Sequence, residues 1–174
     1  MAHGSNLHLS VEDRNAFVLG HFVDTWRGRL SDKTLYQHVL NIQYFMDSYL
    51  SYCVIGMHDE PRSVDQVTAY DVYRFITNWL PRKALVVSDR QVKSHLASLT
   101  KLYQFMKEQH YMPPEKAAAI LEMMKVDRQE MIEVVLTYDD EPDESQSTDE
   151  AFFAQLTERW KSIPPDASKG LRKE

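Results

Sequence analysis

Arg90, Lys93, Ser94, Lys101 and Gln104 are spaced so that a helix turning about 100° per residue collects them on one arc, opposite Val92, Leu99 and Met106. Guanidinium and ammonium groups on one helix face neutralise phosphates, and a hydroxyl and a carboxamide can hydrogen-bond base edges in a major groove. Ala97 falls on the same arc, and so does an acid, Glu108. Ordinary solvated helix faces also carry lysines and glutamines, so spacing alone does not separate DNA contact from plain solvation. Lys33 and Gln37, with Tyr44 and Ser48, are expected on the outer face of an earlier helix. Arg82 and Lys83 precede the Arg90 helix and extend the positive surface if folding brings them together.

Other chemistries find little support. The seven histidines contain no i, i+4 pair and no H-E-x-x-H arrangement. His95 sits on the flank of an apolar stripe, where a satisfied, semi-buried imidazole is expected. Cys53 is the single cysteine and falls on an apolar stripe, which reads as a buried thiol in a reducing, cytoplasmic setting. No G-x-S-x-G or glycine-rich phosphate loop occurs. No catalytic residue, metal site or cofactor is therefore expected. An apolar run of about eighteen residues is missing, as is a basic-then-apolar leader, so no membrane association is expected.

The elements that must position these residues read as helices almost throughout. Ser10-Val-Glu-Asp13 starts one, with Phe17, Val18, Phe22, Val23 and Trp26 inward and Gly28 as its stop. Ser31 starts a second, with the stripe Leu35, Val39, Ile42, Phe45, Met46, Tyr49 and Cys53. Thr68 and Asp71 cap a third, which should end at Leu80 before Pro81. Ser88-Asp-Arg-Gln91 is a capping box opening a fourth, which buries Val92, Leu96, Leu99, Leu102, Tyr103 and Met106. Pro113 and Pro114 suit the first turn of a fifth carrying Ala117, Ala118, Ile120, Leu121 and Met124. The pattern leaves open whether it runs on through Met131, Ile132 and Val135. The fold class is all-α, an orthogonal bundle of four to five helices over residues 10–137. Residues 1–9 read as a disordered start or tag remnant, 138–150 as an acidic linker, and 151–174 as a short amphipathic helix with a frayed tail.

Several of these segments resemble the core-binding domain of tyrosine recombinases (phage integrases). In the second helix Ser31, Thr34, Ile42 and Phe45 fit the family's pattern, with His38 where tyrosine is usual. Val67, Thr68, Asp71, Phe75 and Leu80 follow the middle segment, and Leu96-Ala-Ser-Leu99, Tyr103 and Phe105 follow the second long helix. Tyr111-Met-Pro-Pro114 and Ala117 to Ile120 are similar to the closing step, without its asparagine. The resemblance covers roughly residues 12 to 125 and consists mostly of core positions. It implies a SAM-like module whose long helices pack along duplex DNA in integration or site-specific recombination. The family's catalytic domain, with its tyrosine nucleophile, has no counterpart in the acidic segment that follows, so cleavage would fall to a catalytic recombinase partner.

Charge distribution bears on both outcomes. The net charge is −6, yet residues 27–125 hold 13 Lys and Arg against 10 Asp and Glu. The acidity belongs mainly to the last third, where residues 139–150 are rich in Asp and Glu. That run can solubilise the chain, compete with DNA for the basic face, or present Phe152, Phe153, Leu156 and Trp160 to a partner. The opposing expectation is a protein-interaction module that kept the fold and lost DNA, self-associating through surface Tyr36, Tyr44 and Trp79.

Overall fold

The computed structural model describes residues 9–51, 60–83 and 88–138, and every regular element among them is helical. Helix α1 is Val11–Trp26, started by Ser10, whose hydroxyl accepts from the Asp13 N–H at 3.1 Å. Gly28, at φ 77°, turns the chain in the left-handed region that glycine tolerates. Helix α2 covers residues 32–50: Asp32–Gln43 is α-helical and Tyr44–Leu50 continues as a π-helix. After a 3₁₀ turn at Val64–Gln66, helix α3 covers residues 69–83, with Phe75–Trp79 again π-helical. Helices α4 (Asp89–Glu108), α5 (Pro114–Val126) and α6 (Arg128–Leu136) complete the order.

Capping followed the predicted chemistry. The Thr68 N–H donates to Asp71 Oδ2 at 2.8 Å and the Asp71 N–H returns to Thr68 Oγ1 at 3.3 Å. Ser88 and Gln91 make the same reciprocal pair, at 2.8 and 3.2 Å. Pro114 occupies the first helical turn of α5, where its missing N–H is not needed. The described helices number six, not four to five, because the stretch from Pro114 to Leu136 breaks at Asp127 into α5 and α6.

Helix α4 lies at the centre, packed against α2, α5 and α6. Val92, Leu96, Leu99, Leu102, Tyr103 and Met106 are all buried, as their spacing predicted. Asn15 on α1 accepts from the Val64 N–H at 2.8 Å, and Arg62 pairs with Asp71 at 2.9 Å. These contacts tie the 3₁₀ turn and the start of α3 to the bundle.

Three expectations are corrected, all near the π-helical segments. Tyr44 and Ser48 do not face outward but are buried, and Trp79 is a core residue only 8% exposed. Hydrogen bonding from i to i+5 puts more residues in each turn, so a face extrapolated at 3.6 residues per turn drifts out of phase. Asn41 to Met46 are all buried in succession, so α2 is enclosed on every side where it passes from the α-helical to the π-helical part. Tyr44, Phe45, Tyr49, Phe75 and Trp79 form one aromatic cluster, with Phe45 and Phe75 4.9 Å apart between centroids. Self-association through Tyr44 and Trp79 is therefore closed off. The third correction concerns the end of α3, which continues past Pro81 to Lys83. Cys53, the linker at 139–150 and the amphipathic segment at 151–174 lie outside the described residues.

Candidate nucleic-acid interface

Burial of one side of α4 fixes what the other side shows. Arg90, Lys93, Ala97 and Gln104 are exposed, while Ser94 and Lys101 are half-buried at the edge of that arc. Arg90 to Lys101 is eleven residues, roughly 16 Å along the helix axis, and Lys93 to Lys101 is about 12 Å.

The edge of the arc is a polar seam between α2 and α4. The Asn41 carboxamide donates to Ser94 Oγ and to Ser98 Oγ, each at 2.9 Å, and accepts from Gln37 Nε2 at 3.2 Å. Ser98 Oγ donates to the Ser94 carbonyl at 2.9 Å. With its one hydrogen committed there, Ser98 can only accept from His38 Nδ1, 2.9 Å away, which places a proton on that nitrogen. His38 is held below the ordinary imidazole range, first by burial and then by the nearby charge of Lys101. Ser94 is thus turned into the seam, whereas Gln37 is both exposed and engaged with Asn41.

The same hydrogen bonds set the direction of the two helices. His38 meets Ser98 while Asn41, three residues later, reaches back to Ser94. Helices α2 and α4 therefore run antiparallel, and Lys33 at the start of α2 lies toward the Lys101 and Gln104 end of α4. Arg82 and Lys83 sit in the last turn of α3, at the opposite end, where the chain leads into Ser88.

Each cation has its own setting. Lys93 Nζ is 2.7 Å from Asp89 Oδ2, with both side chains 49% exposed. A solvated i, i+4 pair of this kind contributes only about 0.3–0.5 kcal/mol, so a phosphate can displace Asp89. Lys101 Nζ lies over the Trp26 ring, 3.9 Å from its centroid. That contact joins α4 to the last turn of α1, a neighbour the sequence did not indicate, because the two residues are 75 apart. No group of three or more His, Cys, Asp or Glu suited to a metal occurs among the described residues. No helix among them is long and apolar enough to cross a membrane. No protein-family model, curated protein or solved structure matches the chain.

Proposed function

We propose that this protein is a duplex DNA-binding module that grips rather than cuts, with α4 as the element laid against the groove. One observation carries this: the outward arc of α4 has Arg90 and Lys93 in its first two turns and the half-buried Lys101 two turns further on, with Ala97 between them and the acid Glu108 only in the last turn. Their separation of about 12–16 Å is comparable with a major groove about 12 Å wide, so the two ends can meet phosphates on either side. The small Ala97 lets the helix approach, and Gln104 is free to face base edges. The resemblance to recombinase core-binding domains, with their orthogonal helical bundle, points to the same two long helices and to a role in integration or recombination. Catalysis is assigned to a partner polypeptide.

The test is fluorescence anisotropy with a labelled random duplex over a salt series from about 25 to 200 mM, where counterion release makes phosphate contacts visible. Micromolar binding that falls steeply with salt, and vanishes when Arg90, Lys93 and Lys101 all become glutamate, is expected. A wild-type chain that leaves the duplex free at the lowest salt fails this function. A protein-interaction role then takes its place, and Val126 and Leu136, 65% and 49% exposed at the ends of α5 and α6, are where it would start.

A further inference from the structure

The turn between α1 and α2 is a hydrogen-bonded corner that carries Arg27 and Arg29, with Asp24 and Asp32 to either side in the chain. The Arg27 N–H donates to the Val23 carbonyl at 2.9 Å, and the N–H groups of Arg29 and Leu30 both donate to the Trp26 carbonyl, at 3.0 and 3.1 Å. Gly28 takes the left-handed conformation that closes the turn, so Arg29 projects from a hydrogen-bonded corner and not from a loose loop. Arg29 is exposed, with no side-chain ion pair or hydrogen bond among the described residues. Trp26, the last residue of α1, carries Lys101 on its ring face. Antiparallel packing of α2 on α4 brings Lys33, four residues beyond Arg29, to that same end.

We propose that this corner is a second phosphate-binding element of the DNA interface, in which Arg29 takes a backbone phosphate next to the one met by Lys101, and Trp26 positions the lysine. The proposal rests on duplex DNA binding by α4 and adds to it a residue from α1–α2. The hydrogen-bonded corner fixes the Arg29 backbone, so only side-chain freedom is lost on meeting a phosphate, which the guanidinium can engage with two N–H groups. Lys101 is ordered in advance by the indole, since an ammonium over a ring face is attracted by its quadrupole while its outward hydrogens stay available. The C-terminal half of α4 thus has Arg29 of the corner added to its own Lys101 and Lys107, with Glu108 as the opposing charge in the last turn.

The wild-type chain, Arg29→Gln, Lys101→Gln, Arg90→Gln, Trp26→Leu and Trp26→Phe are titrated against the same random duplex over the same salt series, with circular dichroism to verify each fold. Arg29→Gln should weaken binding roughly 3- to 10-fold at low salt and lower the slope of log K against log salt by about 0.9, the value for one lost phosphate contact. Trp26→Leu should weaken binding several-fold while leaving the slope unchanged, because no charge is removed, and Trp26→Phe should restore most of the loss. An Arg29→Gln variant with unchanged affinity and slope, beside an Arg90→Gln variant that loses both, overturns the corner and leaves DNA binding by α4 standing. Absence of wild-type binding at the lowest salt overturns both.

Discussion

His95 is a basic side chain enclosed among aromatic rings, 5.8 Å from Phe75 and 6.0 Å from Tyr44 between centroids. Its Nδ1 has no hydrogen-bond partner among the described residues, contrary to the satisfied imidazole expected from sequence. Burial lowers its pKa to about 4, because charging the ring there forfeits hydration without a compensating acceptor. The folded pKa lies below the unfolded value of about 6.5, so the unfolded chain binds the proton first. Stability is full above that value and falls as pH drops toward the folded pKa. The loss is about 2 kcal/mol by pH 5 and about 3 kcal/mol in all. Urea unfolding at pH 7.5 and pH 5 should show it, and His95→Leu should flatten the difference between the two midpoints. An equal pH dependence in both proteins would place the effect elsewhere. The environment of His95 was only half legible: its flanking position on α4 was read correctly, but the rings around it come from the π-helical parts of α2 and α3.

At the scale of elements, the α2–α4 seam decides how the candidate interface is held. Asn41 is buried and uses both amide hydrogens on Ser94 and Ser98, and removing it takes a donor from each serine, although Ser98 keeps its bonds to the Ser94 carbonyl and to His38. Asn41→Ala should lower stability by about 2 kcal/mol, within the range for breaking buried hydrogen bonds, as measured by denaturant midpoint. A variant within about 0.5 kcal/mol of wild type would show that water replaces the amide. The caps at Ser10, Ser31, Thr68 and Ser88 were legible because a side chain three residues from its backbone partner is a local matter. The π-helical turns were not. Their i to i+5 bonding leaves no mark in the apolar pattern of Leu35 to Ile42, which predicts plain α-helix onward.

Across the whole molecule, charge is divided between a mildly basic middle and an acidic end. Residues 139–174 hold ten Asp and Glu against five Lys and Arg, so a chain ended after Tyr138 rises from −6 to −1. If α4 grips DNA, that chain should bind a random duplex several-fold more tightly at about 25 mM salt. The gain should shrink at about 200 mM, where the screening length is shorter. Equal affinity of the two chains at low salt would show that the acidic end does not compete with phosphate.

The helical class, most of the helix starts and the buried side of α4 could be read from the chain of residues alone. Those follow from caps and apolar periodicity, which depend on residues a few positions apart. The turn of Ser94 into a seam, the burial of Tyr44 and Trp79 in the core, and the seat of Lys101 on the Trp26 ring came from the three-dimensional packing. Each of these joins residues far apart in the chain or depends on the phase of a π-helical turn, and neither is written in any local pattern.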